Sequence, residues 1–79
     1  MKRLNEPIII INVLSRKGMA LAKKFTAVGR GVIGVASPEA IRSCNFPIMN
    51  VDVFLVSPDL RSMACAASSS YDHCGIIEC

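Results

Sequence analysis

Residues Pro7 to Leu14 read PIIIINVL. Seven of the eight are apolar, and four consecutive isoleucines, Ile8 to Ile11, form the centre of the run. β-Branched side chains are stiff at χ1 and fit a pleated, buried surface. A strand with one wet face alternates apolar and polar residues; this one does not. Burial on both faces is the condition of a central parallel strand sandwiched between helices. The run predicts a strand from about Ile8 to Leu14, with Pro7 at its first position, where a missing amide does little harm. A polar step follows, Ser15-Arg16-Lys17-Gly18, and then a helical pattern over residues 18–28. Leu21, Phe25 and Val28 fall at i, i+4 and i+7 with Met19 and Ala22 beside them, while Lys23, Lys24 and Ala27 fall elsewhere. Gly29-Arg30-Gly31 supplies the stop.

The rest of the chain repeats the alternation. A second strand covers residues 32–36. Ser37-Pro38-Glu39 then offers an N-cap, a proline at the first helical position and an acid in the first turn. A short helix reaches Ser43 or Cys44, and Cys44-Asn45-Phe46-Pro47 breaks it. The third strand covers residues 51–56. Ser57-Pro58-Asp59 repeats the start signal, and a third helix carries Leu60, Met63 and Ala64 inward to about Ala67. Residues 75–79 read as a last short strand. The order β-α-β-α-β-α-β, with right-handed crossovers, predicts a four-stranded parallel sheet with helices on its faces. The loops Ser15–Gly18, Ser37–Glu39 and Ser57–Asp59 then share one edge of the sheet, where such folds bind ligands.

Seventy-nine residues make one domain, 1–79, near the lower limit for an independent core. With only four aromatic residues that core must be aliphatic. No apolar run approaches the ~20 residues of a membrane span. The basic start, Met1 to Pro7, precedes a short apolar run with no small-residue cleavage site after it, so a cytoplasmic chain without a targeting segment is expected. Cys44, Cys65, Cys74 and Cys79 include no C-x-x-C pair. Asp72, His73, Cys74 and Cys79 are metal-ligand types, but their spacing matches no zinc pattern. Free thiols, no metal and no cofactor are the expectation.

The net charge of +3 says less than its distribution. No acid occurs between Glu6 and Glu39, while Arg16, Lys17, Lys23, Lys24 and Arg30 all do. That stretch is either a solvated basic face or a site for an anion. Ser15 lies where a strand ends and a helix begins, so it either caps the helix or contacts a ligand there. As a nucleophile it needs a base; His73 is the sole histidine, and no G-x-S-x-G surrounds Ser15. Neither G-x-x-x-x-G-K-[ST] nor G-x-G-x-x-G follows the first strand, which disfavours a nucleotide-binding loop of either kind. Glu39 and Asp59 have capping explanations, Asp52 sits inside a strand pattern, and Met19, Met49 and Met63 read as core filler.

Leu14-Ser15-Arg16-Lys17-Gly18-Met19 after the first strand, with the strand Val51-Asp52-Val53-Phe54-Leu55-Val56-Ser57-Pro58, resembles the IIB components of the bacterial sugar phosphotransferase system, of the lactose/cellobiose and galactitol-like kinds. In that family a buried first strand ends in a cysteine, and a C-x-x-G-M-like loop leads into the first helix. Gly18-Met19 match it, and the phosphocysteine falls on Ser15. The resemblance implies a flavodoxin-like α/β fold without the family's closing helix, which leaves one sheet face partly bare. It implies a phosphate-binding loop of Ser15, Arg16, Lys17, Gly18, Met19 and Ala20. The chain would then be a phosphoryl carrier through Ser15, or a catalytically dead relative, because a serine alcohol is essentially never ionised near neutral pH. A IIA-like phosphodonor and a IIC-like permease are the implied partners. The alternative is a small phage-type or regulatory protein that binds a partner through Lys23, Lys24 and Arg30 without enzymatic activity. Scarce aromatic residues disfavour nucleic acid.

Overall fold

The structure, a computed structural model, describes residues 3–44, 50–71 and 74–79. Seven elements follow in the expected alternation: β1 (Arg3–Ile11), α1 (Arg16–Ala27), β2 (Arg30–Ala36), α2 (Pro38–Arg42), β3 (Val53–Val56), α3 (Leu60–Ser68) and β4 (Gly75–Glu78). The strands form one parallel sheet in the order β3-β2-β1-β4. This is a small doubly wound α/β architecture with helices on both faces, consistent with a flavodoxin-like fold. The isoleucine run is its interior strand. Ile8 to Ile11 lie beside Val32 to Val35 on one side and Gly75 to Glu78 on the other.

Alternation along β1 divides the core in two. Ile8 and Ile10 join Val32, Ala36 and Ala22 of α1 on one face, where Leu21 and Phe25 of α1 and Ala40 of α2 pack against them. Ile9 and Ile11 join Ile33, Val35 and Ala64 of α3 on the other, with Leu60, Met63 and Ala67. Ile9 and Ile10 are fully buried, and each such side chain stabilises the fold by roughly 1.5–3 kcal/mol relative to exposure. A strand with helices on both sides has no use for a polar position, which is why its sequence does not alternate.

The second face is the less covered one. Val53 beside Ile33 and Ile76 beside Ile9 flank α3 and are 40% and 45% exposed. Arg61 of α3 holds β4 through a two-pronged contact: its Nε and Nη2 donate to the Glu78 carboxylate at 3.1 and 2.9 Å.

Element boundaries differ from expectation at several places. β1 starts at Arg3 rather than Ile8 and β2 at Arg30 rather than Val32, where Arg3 pairs with Arg30. β1 ends at Ile11 rather than Leu14, because Asn12 takes a left-handed conformation with φ 64°, which asparagine tolerates better than most residues. α1 therefore starts at Arg16 rather than Gly18, and it ends with Gly29 at φ 83°. β3 begins at Val53, because the Asp52 carboxylate accepts from the Val32 amide at 2.8 Å while the Asp52 amide donates to the Val32 carbonyl at 2.9 Å. Finally, α3 starts two residues later than the repeated Ser-Pro-acid signal implies. Ser37 caps α2 as expected, its Oγ accepting from the Ala40 amide. At the second copy the cap is Asp59, and Ser57 Oγ only accepts from the Asp59 amide.

Candidate functional site

The turn from Asn12 to Gly18 is held at the carboxyl edge of the sheet by contacts in every direction. The Asn12 and Val13 amides both donate to the Val35 carbonyl, at 2.9 and 3.2 Å, so the chain folds back over β2. Val13 is buried and its Cγ1 fills the space above Gly34. Asn12 Nδ2 donates to the Cys79 carbonyl at 2.9 Å, and the Cys79 amide donates to the Ile11 carbonyl at 3.0 Å. These two bonds tie the ends of β1 and β4 together across the place where the strand order turns back. Gly18 completes the turn. A Cβ there would stand 2.5 Å from the Asn12 carbonyl oxygen and 2.8 Å from Val13 Cα, so the first turn of α1 approaches the end of β1 more closely than any side chain allows.

Ser15 is the N-cap of α1. Its Oγ accepts from the Gly18 amide at 3.0 Å and its carbonyl accepts from the Met19 amide at 2.9 Å. The first-turn amides of Arg16 and Lys17 have no acceptor within the helix. No acid lies in that first turn. Arg16 and Lys17 are exposed beside it. A twelve-residue helix with a neutral cap and two adjacent cations presents positive potential at this edge.

A cavity of about 350 Å³ opens next to the turn, between the start of α1 and α2. Asn12, Leu14 and Ser15 line it from the turn, Ala36 from the end of β2, Ala40, Ser43 and Cys44 from α2 and the residues just after it, and Cys79 from the end of β4. Apart from the two thiols, none of these side chains can carry charge at any ordinary pH. The cavity thus holds no acidic or basic side chain other than the thiols, and Arg16 and Lys17 stand near its edge.

The expected phosphate loop divides into separate roles. Ser15, Arg16 and Lys17 are together at the helix start. Gly18 is buried spacing between helix and strand, and Met19 and Ala20 are exposed on the helix. Lys23 and Lys24 are exposed on the C-terminal half of α1, Lys24 in its last turn, and Arg30 starts β2 at the same edge of the sheet, where its Nε donates to the Glu6 carbonyl and its guanidinium sits 5.9 Å from the Phe25 ring centroid. Asn12, Ser43 and the two thiols are not among the residues that the sequence singles out for this site. The signal for Asn12 was a lone polar residue inside an apolar run; Ser43 and Cys44 had none.

Cys74 lies on the other face beside the Ile9 cluster, where burial pushes its thiol up from the ordinary value against the opposing influence of Arg30. None of the four cysteines forms a disulfide. Among the described residues no three His, Cys, Asp or Glu side chains gather as metal ligands; His73 and Asp72 lie outside them. Nor is any described helix long and apolar enough to cross a membrane.

No protein-family model matches the sequence, and no curated protein or solved structure matches it either.

Proposed function

We propose that this chain is a phosphate-binding α/β domain, a IIB-like relative that holds a phosphate group without passing it on. The observation that carries the reading is the start of α1. Unpaired amides, a neutral cap, no acid and two cations meet at the end of the central strand, beside a cavity. Fold-level resemblance to IIB components supplies only the analogy for phosphate at this turn.

Non-covalent binding is favoured over phosphoryl carriage by what Ser15 is already doing. Its hydroxyl oxygen is the acceptor that satisfies the Gly18 amide, and its proton must be removed before it can attack a phosphoryl group. An alcohol is essentially never ionised near neutral pH, so that step needs a general base. If the carrier role held, the donor would be a IIA-like protein and the acceptor a sugar in a IIC-like permease.

Titration with inorganic phosphate, followed by amide NMR, tests the proposal. Saturable shifts centred on residues 15–20 are expected. Their absence at millimolar phosphate overturns it. Phosphoserine at Ser15 after incubation with a phosphorylated IIA-like donor would replace it with the carrier reading.

A further inference from the structure

The cavity asks for more than a phosphate. Inorganic phosphate is compact, fully charged and satisfied by the helix start and its two cations. The neighbouring hollow has no acidic or basic side chain apart from its two thiols and is large enough for a whole organic group. Its walls are of two kinds. Leu14 and Ala40 offer an apolar surface over the buried Ala36, and the small side chain of Ala40 leaves room for a flat ring. Asn12, Ser15 and Ser43 offer an amide and two hydroxyls of the sort that bind sugar hydroxyls.

Position in the sheet adds an independent argument. Connections α1 and α2 lead from β1 outward to β2 and β3, whereas α3 crosses back to β4 on the other side of β1. The order therefore reverses between β1 and β4. Open α/β sheets bind ligands outside the carboxyl ends of their strands at such a reversal, and 3-2-1-4 matches the first four strands of the 3-2-1-4-5-6 order of dinucleotide-binding sheets. The cavity is lined from the ends of β1, β2 and β4, which places it there.

From these we infer that the cavity takes the nucleoside portion of a nucleoside monophosphate, its base against Leu14 and Ala40 and its ribose toward Asn12 and Ser43. The phosphate of the same molecule then occupies the start of α1, so the inference rests on the phosphate reading above and extends it. A dinucleotide is excluded by the turn itself. Ser15 carries a side chain where a pyrophosphate needs bare backbone, Val13 stands where such loops use a glycine for the tight turn, and only Gly18 meets their glycine spacing.

Affinities for AMP, GMP, UMP, adenosine, glucose 6-phosphate and inorganic phosphate, measured by calorimetry with amide NMR, decide the matter. At least one nucleoside monophosphate should bind at least tenfold more tightly than inorganic phosphate. It should shift the amides of Ala36, Ala40, Ser43 and Cys79 as well as those of residues 15–20. Glucose 6-phosphate should bind no better than phosphate alone. In Ser43→Trp, whose exposed position tolerates a large side chain, the nucleotide should fall to the affinity that phosphate has for the same variant, with folding checked by melting. Equal affinities for nucleotides and phosphate overturn the inference, as does a nucleotide preference that survives Ser43→Trp, or glucose 6-phosphate matching the best nucleotide. Adenosine separates the two readings. Shifts at the cavity with adenosine, when phosphate binds nowhere, keep this inference and sink the phosphate site; phosphate shifts at residues 15–20 with no nucleotide preference do the reverse.

Discussion

Helices α1 and α3 begin at the same edge of one sheet, after strand ends of similar make-up, and they begin differently. α1 is capped by the Ser15 hydroxyl, which accepts from the amide three residues on, Gly18. α3 is capped by the Asp59 carboxylate, whose two oxygens accept from the Ser62 amide at 3.1 Å and the Ser62 hydroxyl at 2.9 Å. Both caps satisfy a helix end. Only one leaves it positively charged: Asp59 brings its own anion to α3, whereas α1 has a neutral cap and Arg16 and Lys17 beside it. The lesson is that capping and anion binding compete for the same amides. A helix start is open to a ligand when its own cap is uncharged and weakly engaged.

The largest test of this contrast lies three residues past each cap. Gly18→Ala puts a methyl group 2.5 Å from a backbone carbonyl that has nowhere to go, and a loss on the order of 3 kcal/mol is expected. For a domain of this size that lowers Tm by roughly 10–20 °C. Ser62→Ala, at the matching position of α3, keeps the backbone bond to Asp59 and should melt close to the parent. Equal melting points for the two variants in a thermal scan would show that α1 is not wedged against β1.

Exchanging the caps comes next. Ser15→Asp keeps a good N-cap and should shift Tm little, but it places a carboxylate where the phosphate is to sit. Two like charges about 4 Å apart at an effective dielectric of about 20 repel by about 4 kcal/mol before screening by salt. Phosphate affinity measured by NMR should therefore fall at least tenfold. Asp59→Ser makes the start of α3 neutral, yet its amides should not shift with phosphate, because Arg61, the cation of its first turn, is engaged with Glu78. Phosphate binding to Asp59→Ser at α3 would mean that a neutral cap alone makes the site.

What could be read in advance follows the same division. The isoleucine run declared a two-faced interior strand, because only helices on both sides remove the need for alternation, and the parallel sheet followed. Strand order could not be read, since whether β4 joins β1 or β3 depends on which face α3 crosses, and no residue encodes that locally. The copies Ser37-Pro38-Glu39 and Ser57-Pro58-Asp59 look alike as letters. They diverge because Asp59, once past the proline, can cap the helix itself, and the better acceptor decides where α3 begins. Gly18 was legible as a loop glycine but not as a spacer. A glycine that admits a phosphate and a glycine that admits a strand end are written the same way, and only the packing over Val13 distinguishes them.

The smallest expected effect concerns acid. Bonds from the Ser62 amide and hydroxyl hold the Asp59 carboxyl below the ordinary aspartate range, with a lesser pull from Arg61. A folded value lower than the unfolded one means the unfolded chain binds the proton first. The stabilisation from this cap is thus complete above the ordinary aspartate value and fades as pH falls through the lowered one. Glu78, held down by Arg61, acts in the same direction, so the parent and Asp59→Ser must be compared rather than the parent read alone. Melting temperatures taken from about pH 6 down to about pH 2.5 should converge for the two proteins at the acid end. Their separation should be modest because Asp59 is exposed. The Ser15 cap carries no proton to lose, so Ser15→Ala should instead lie below the parent by the same margin at every pH. Parallel curves for Asp59→Ser, or converging ones for Ser15→Ala, would erase the distinction between a charged and a neutral helix start from which the phosphate site was argued.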